Sequence, residues 1–554
     1  MIVWLLDLTL GGTVFRFATK AASASDGTYT RVYSAGLQPV TVDIGGDGPS
    51  GRSVALTVDA VPQGYDGWLD VPGIRGMLEA GSAVLRRWRE GEDLRKARVM
   101  ARGSLTNPSV SRGAAPLVLS LESPPWADGT RVIRQTHMVT TASYPTPTAK
   151  TTTSAEVDPQ VYGSYPPVVI GYPGDVRTIG SATGTPTETA VKGPPDQSTL
   201  RPFDAAWAEL GEGSPGLKVE MNAGVWNWWD RIAIASHPVA ASSVIVWDQS
   251  DQRWDLMTVS HGLSALGETF AYVDYSDASG MWLRTFETAG HELWIVWTEE
   301  NGGGLRSDSG GTMEGLGEVL RWMLAKMDSP VSLAAQQGER AVLDSYKLSA
   351  YINTDITVWD WVTTEVIGLF PVRWVEDSDG GYLRHWDLTP GVPVVADLHT
   401  TRMGLEVVSD LLCDTSDVRN FLTLRYSYGP DGVHKSITFA AEAGPSGSDQ
   451  RAHPVCTRSE ARYGRRAYTW ESRIIKDNST ATRTLAALAR EHALAPWSLV
   501  LSDPESRWLE HLRIGDRIKL TAPDENLTDT GCIVEGLVLE GQETRALLRL
   551  IEED

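Results

Sequence analysis

The sequence predicts a mainly β chain with some α (α+β), multidomain, in which β-barrel or sandwich modules accompany a small helical middle domain. Three observations carry this. Most of the chain consists of short apolar/polar alternations separated by Gly, Pro, Asn and Asp turns. One stretch after residue 311 changes to the helical rhythm. At 554 residues the chain is long enough for roughly three to five cores. The divisions read as an N-terminal β-barrel-like domain, 1–134, and a linker with a short strand, 135–200. A Trp-rich β-sandwich-like insertion follows at 201–310, then a helical α+β middle domain at 311–400. A β-rich domain spans 401–470, and a C-terminal helix with a β-barrel module spans 471–554.

In chain order, Ile2 to Leu8 and Thr13 to Phe17 form a predicted first hairpin across Gly11-Gly12. Val54, Leu56 and Val58 alternate with polar residues, as do Leu117, Leu119 and Leu121, and Pro124-Pro125 closes the unit. A helical turn near Gly73 to Ala80 and a hairpin around Gly91 lie between. Residues 138–160, rich in Thr, Ser, Ala and Pro, are too poor in large apolar side chains to pack. Tyr165-Pro-Pro-Val-Val-Ile-Gly171 is a short strand introduced by prolines, and 178–200 is a second polar loop.

Residues 201–305 hold nine of the 21 tryptophans: Trp207, Trp226, Trp228, Trp229, Trp247, Trp254, Trp282, Trp294 and Trp297. Strand-like runs cover Arg231 to Ser236, Ser243 to Trp247, Phe270 to Val273 and Leu293 to Trp297. A tryptophan in such a sheet is more often core than ligand platform, because its ring buries a large area. Trp226-Asn-Trp228-Trp229 leans less towards core, since adjacent strand residues face opposite sides. Trp226, Trp228 and Trp229 are therefore the candidate surface-binding residues.

Met313, Leu316, Val319, Leu320, Met323, Leu324 and Met327 follow the i, i+3, i+4, i+7 spacing of a helix over 312–328, with Thr312 as N-cap and Pro330 as stop. Further helices are predicted over Ala341 to Tyr346 and Val358 to Leu369. A hairpin then joins Val372 to Glu376 and Tyr382 to Trp386. Strands return at Asn420 to Tyr426 and Ser436 to Ala440.

The last eighty or so residues read as one module. A helix capped by Asn478-Ser479 carries Ala481, Leu485, Leu488 and Ala489 on one face and is stopped by Pro496. Strands follow at Leu499 to Leu501, after the Gly515-Asp516 turn where Ile518 and Leu520 alternate with Arg517 and Lys519, at Cys532 to Glu540, and at Glu543 to Ile551. This order of helix, strand, Gly-Asp turn and closing hairpin resembles the C-terminal part of tail-tip hub proteins of long non-contractile-tailed bacteriophages and gene transfer agents. Residues 1–125 resemble the first barrel of the same proteins, and 311–400 their middle domain; the Trp-rich region resembles them poorly. The resemblance implies a virion structural protein of the tail tip or baseplate, made in the bacterial cytoplasm. It also implies a closed ring, usually a trimer, that caps the tail tube. Its implied partners are the distal tail ring, the tape-measure protein and fibre or spike proteins.

Composition narrows the alternatives. Hydrophobic content of 42% and charged content of 22% fit a globular chain. The N-terminus is apolar but lacks a basic region and holds Asp7, so an opening strand is expected rather than a signal peptide. With 49 Lys and Arg against 71 Asp and Glu, the net charge of −22 argues against nucleic-acid binding, which needs clustered cations. The most basic patch, Arg86-Arg87-Trp88-Arg89 with Arg95-Lys96-Ala97-Arg98, is interrupted by Glu90, Glu92 and Asp93 and reads as the solvated face of a hairpin. Cys413, Cys456 and Cys532 lack CxxC spacing and read as small buried hydrophobes rather than zinc ligands or disulfides.

Several fragments imitate catalytic motifs. Ser307-Asp308-Ser309-Gly310-Gly311 resembles a protease nucleophile loop, but His237 and His261 lack the context of a base, so a flexible linker is expected. His291-Glu292 would need a histidine at 295, which is Ile. Asp377-Ser-Asp379-Gly reads as a hairpin turn rather than a calcium loop. No catalytic residue, cofactor or metal ligand is nominated, and a non-enzymatic architectural role is expected. The alternative is a secreted carbohydrate-binding protein or glycosidase with the Trp-rich module as its platform.

Overall fold

The protein's structure, a computed structural model, describes residues 1–45, 53–58, 81–110, 117–122, 133, 168–172, 231–233, 237, 239–240, 243–248, 253–261, 271–274, 293–296, 303–327, 331–352, 355–377, 380–389, 392–427 and 434–551. The helical turn expected near 73–80 and Pro124-Pro125 lie outside them. The described residues are mostly strand with a few helices, as the alternation predicts.

The opening strand β1 (Ile2–Leu10) pairs antiparallel with β2 (Thr13–Ala18), so the first hairpin stands where Gly11 and Gly12 allow positive φ. With β3 (Ala22–Ser25), β4 (Thr30–Ala35), β6 (Ser53–Val58), β7 (Ser82–Arg89), β8 (Arg98–Val110) and β9 (Leu117–Glu122) they form an eight-stranded sheet in the order β3-β4-β2-β1-β7-β8-β9-β6. β1 is buried on both faces. Trp4, Leu6, Leu8 and Leu10 enter the large core, while Val3 and Leu5 join a smaller cluster with Tyr33, Trp88 and Leu94. The intervening strand β5 (Thr41–Gly45) leaves this sheet for another.

β10 (Val168–Ile170) is wholly buried. In the Trp-rich region β11 (Arg231–Ala233), β12 (Ser243–Asp248), β13 (Arg253–His261), β14 (Ala271–Asp274) and β15 (Leu293–Val296) form one antiparallel sheet, ordered β11-β14-β13-β12-β15. The described residues give this single sheet rather than two facing ones.

The middle of the chain comprises α1 (Leu316–Leu324), α2 (Leu333–Leu343), β16 (Ala350–Ile352), α3 (Val358–Glu365) and the hairpin of β17 (Val372–Asp377) with β18 (Gly380–His385). β10 pairs with β16. α1 is shorter than its apolar stripe predicts and is capped by Gly315 rather than Thr312. Residues 305–313 are already used: Arg306 bridges Thr312, and Met313 NH donates to Leu305 O at 2.7 Å. α2 begins eight residues before its predicted start. Its first turns bury only Gln336, so periodicity does not reveal them.

β19 (Ala396–His399), α4 (Thr400–Met403), β20 (Glu406–Val407) and β21 (Leu412–Cys413) lead to a four-stranded sheet. That sheet is ordered β24-β23-β22-β25, from β22 (Phe421–Tyr426), β23 (Lys435–Ala440), β24 (Gln450–Ala452) and β25 (Ala467–Glu471). Helix α5 (Pro454–Tyr463) was not expected, because it buries only Val455, Cys456 and Ser459. α6 (Asn478–His492) is capped by Asp477, whose Oδ1 accepts from Thr480 NH at 2.8 Å, one residue before the predicted cap. Leu485 and Ala489 of α6 join the middle core with Leu320, Trp361, Leu424 and Ile437.

The final strands β26 (Trp497–Asp503), β27 (Arg517–Ala522), β28 (Leu527–Glu540) and β29 (Glu543–Leu550) form a second eight-stranded sheet with β19, β20, β21 and β5. β28 changes partner along its length. Leu527 to Ile533 pair with β27; after a bulge between Val534 and Gly536, residues 536–540 pair with β5.

Two half-buried imidazoles give this fold a pH response. His385 ends β18 and His492 ends α6, and burial pushes both rings below the usual histidine value of 6.5. Unfolding therefore takes up protons below that value, and stability falls as pH drops through it; half-buried Glu365, whose carboxyl is pushed up, works in the opposite direction. Denaturant midpoints should fall between about pH 7 and about pH 5.5, and fall less in the His385→Gln/His492→Gln protein. An unchanged pH slope in that variant would contradict this origin.

Candidate functional site at the seam between the chain ends

The described residues that draw most on distant parts of the sequence lie where β1 and β7 meet the C-terminal sheet. Register puts Trp4 opposite Arg87 and Leu6 opposite Leu85, so the face carrying Leu85 also carries Arg87 into the core. Arg87 is 1% exposed. Its Nη1 donates to Thr544 Oγ1 at 2.9 Å, and its Nη2 donates to Ser506 Oγ at 2.7 Å and Glu543 O at 3.2 Å. The guanidinium carbon lies 5.8 Å from the centre of the Trp4 ring. Burial pulls its pKa down to about 10, which leaves it cationic at neutral pH.

The neighbouring contacts repeat the theme. Trp4 Nε1 donates to Gly541 O at 3.3 Å. Ile2 NH donates to Gln542 Oε1 at 2.7 Å, and Gln542 Nε2 donates back to Ile2 O. Arg89 Nη2 donates to Ser506 O and to Glu510 Oε2, both at 2.8 Å, and Arg98 Nη1 donates to Glu510 O at 3.0 Å. Ser506 is fully buried at φ +48°, a left-handed conformation uncommon outside glycine and held here by these partners.

The basic patch is thus corrected in part. Arg95 and Lys96 are solvated as expected, but Arg87 is buried and Arg86 is tied to Asp7. The signal was present: alternation places Ala83, Leu85 and Arg87 on one side.

A second joint gives the Gly515-Asp516 turn its reason. Gly515 adopts φ +81°, and an added Cβ would lie 3.1 Å from Arg384 Cδ. Asp516 accepts from Arg513 NH at 2.7 Å and from Arg384 Nη2 at 2.8 Å, while Arg384 Nη1 donates to Ile514 O at 2.7 Å. The turn clamps the β17–β18 hairpin onto the C-terminal sheet.

The imitated motifs resolve into structure. Ser307 Oγ donates to Glu318 Oε1 at 2.8 Å, and Glu318 pairs with Arg340 at 2.8 Å. Gly304, just before it, is not part of a flexible linker: its NH donates to Gly171 O at 2.9 Å, and an added Cβ there would lie 2.3 Å from Val169 O. His237 is buried, its Nε2 accepting from Val169 NH at 3.0 Å. Asp377 faces Gly380 across a hairpin. His261 ends β13, and His291-Glu292 lies outside the described residues. Among the described residues no group of three or more His, Cys, Asp or Glu is placed to hold a metal. Burial pushes the Cys456 and Cys532 thiols up to about 12, so both stay protonated and unreactive. The surface-binding candidates Trp226, Trp228 and Trp229 lie outside the described residues.

No protein-family model and no curated protein matches the chain. Solved structures do. It is similar to the tail protein from Neisseria meningitidis MC58, at 10% identity and a TM-score of 0.35, over 99% of this chain and 97% of that one. It is similar to the 43 kDa tail protein of prophage MuSo2 from Shewanella oneidensis, at 7% identity and 0.32, over 99% and 96%. A prophage tail protein from Listeria monocytogenes EGD-e gives 8% and 0.31, over 99% and 94%. Its structural neighbours are phage tail proteins. At these low TM-scores the functional reading rests on the chain's own residues.

Replacing Arg87 by Met keeps the apolar stem and removes the donors. Ser506 and Thr544 keep each other and Ser506 keeps Gln542 O, but these hydroxyls and the carbonyl of Glu543 lose the charged donor, which predicts a loss of about 1–3 kcal/mol in chemical denaturation. A change within error would show that the seam does not depend on the guanidinium.

Proposed function

We propose that the chain is a structural hub or baseplate component at the tip of a phage-like tail, working by assembly rather than by catalysis. In this reading it forms a closed ring, a trimer, that caps the tail tube. The ring meets the distal tail ring and the tape-measure protein and carries fibre or spike proteins for attachment and DNA delivery. The observation that carries the reading is the shared core: β5, from the N-terminal part, is hydrogen-bonded into the C-terminal sheet along β28. A block closed by both of its ends is rigid enough to tile a ring, and ring closure hides strand edges that otherwise invite aggregation. The order of sequence segments resembling hub proteins supports the same reading, and a net charge of −22 suits a conduit to which DNA must not stick.

Light scattering with negative-stain imaging tests it. The expected result is a mass of three chains and a three-fold ring with a central opening. A monomer that stays monomeric when mixed with its neighbouring tail proteins would contradict it.

One feature keeps glycan recognition within this reading. Backbone register sets Trp247 opposite Trp254 of one neighbouring strand and Trp294 of the other. Tryptophan rings suit stacking on sugars, and Trp226, Trp228 and Trp229 precede these strands in sequence. Polysaccharide pull-down should retain the protein and lose it in the Trp228→Ala/Trp229→Ala variant; equal retention of both would remove these residues from recognition.

A further inference from the structure

The four-stranded sheet ends in two unlike edges, β24 and β25. At β24, Gly444 NH donates to Gln450 O at 3.1 Å and Gln450 Nε2 donates to Glu442 O at 2.9 Å, so residues 442–444 cover that strand. β25 runs parallel to β22 in unbroken register, from Phe421 opposite Ala467 to Arg425 opposite Glu471. Phe421 NH donates to Arg466 O at 3.0 Å, and Ser472 NH donates to Arg425 O at 2.9 Å. Alternate residues of a parallel strand bond to the same neighbour, so Ala467, Thr469 and Glu471 turn their NH and C=O groups away from β22. Among the described residues these six main-chain groups have no partner, and all three residues are exposed.

A bare edge accepts another strand unless a proline, a bulge, a charge or a covering segment blocks it. β25 reads Ala-Tyr-Thr-Trp-Glu, and its one carboxylate, Glu471, is drawn back to Arg425 Nη1 at 2.9 Å. The flanks are positive. Arg465, Arg466 and Arg473 stand at the two ends, and among the described residues none lies within salt-bridge distance of a carboxylate. Arg465 sits over Phe421 at 3.6 Å from the ring centre, Arg466 donates to Thr415 O at 2.6 Å, and Arg473 acts on Glu365 from further off. Tyr468, 45% exposed, meets Trp470 with 4.5 Å between ring centres, on the face that β25 shares with Leu422 and Leu424.

The geometry points to β25 as the docking edge for an extended, acidic segment of a partner protein, which adds a fifth strand to this sheet. The outward groups of Ala467, Thr469 and Glu471 hold the segment's backbone. The flanking arginines take its carboxylates, and Tyr468 takes an apolar side chain between them. A free anion has no use for six main-chain groups in line, and the net charge of −22 opposes a nucleic acid. The inference goes beyond the tail-tip reading and does not depend on it.

Fluorescence anisotropy on the full-length protein tests it with a dye-labelled acetyl-Glu-Val-Thr-Val-Glu-amide peptide. The same peptide with every backbone nitrogen methylated cannot form a ladder, and a Lys-Val-Thr-Val-Lys peptide reverses the charge. The Glu peptide should bind, and both controls should bind about tenfold or more weakly. Thr469→Pro removes the central outward NH while leaving the bonds to β22, an edge position where proline is tolerated. It should weaken the Glu peptide about tenfold or more with an unchanged melting temperature. Four results would each overturn the proposal: no binding of the Glu peptide, equal binding of the methylated peptide, equal binding of the Lys peptide, or undiminished binding by a folded Thr469→Pro protein. If Thr469→Pro does not fold, the two control peptides decide the matter alone.

Discussion

A buried cation is costly unless hydroxyls and carbonyls take up its donors, and Arg87 meets that condition at both Nη atoms through the far end of the chain. Its donors reach Thr544, Ser506 and Glu543, more than four hundred residues away in sequence. The N-terminal sheet cannot satisfy Arg87 by itself, and Ser506 holds its left-handed backbone where Arg87 and Arg89 engage it. The two parts therefore specify each other. Trp4, Ile2 and Gln542 extend the same dependence along β1.

The long strand β28 carries this dependence into the sheet. Its first half belongs to the C-terminal module alone; its second half, past the bulge at Gly536, is completed by β5. One apolar core runs from Trp4 and Leu56 to Leu501 and Leu548. The Gly515-Asp516 turn, clamped by Arg384, ties the middle hairpin to the same body. A part built in this way has few internal hinges where its sheets meet, which suits a protein that positions others.

Much of this was legible in the sequence. The hairpin of β1 and β2, the alternating strands β6 and β9, the α1 stripe and the closing β28–β29 pair all follow from period and turn chemistry, because in each case one face is apolar and the turn residues permit the geometry. The failures have physical causes. α5 and the start of α2 bury too few apolar side chains to show a helical period. The glycines before Ser307 look like a linker in sequence, but Gly303 packs against the Thr312 side chain and Gly304 against Val169, a property of tertiary packing alone. Arg87 sits in a run of charges, where local composition signals solvent; only its place in the alternation with Ala83 and Leu85 marks it as inward. The pairing of β5 with β28 joins segments almost five hundred residues apart, and no local pattern encodes such a partner.

The central claim is that both ends of the chain fold as one cooperative body. Native-state hydrogen exchange tests it most directly, by comparing the opening free energies of amides in β1 and in the second half of β28 as denaturant is raised. The account predicts that amides around Leu6 and Val538 open together, with one free energy and one denaturant dependence. If β1 exchanged through a cheaper opening while β28 stayed closed, the two ends would be separate bodies in contact, and the shared core would not be what holds this protein together.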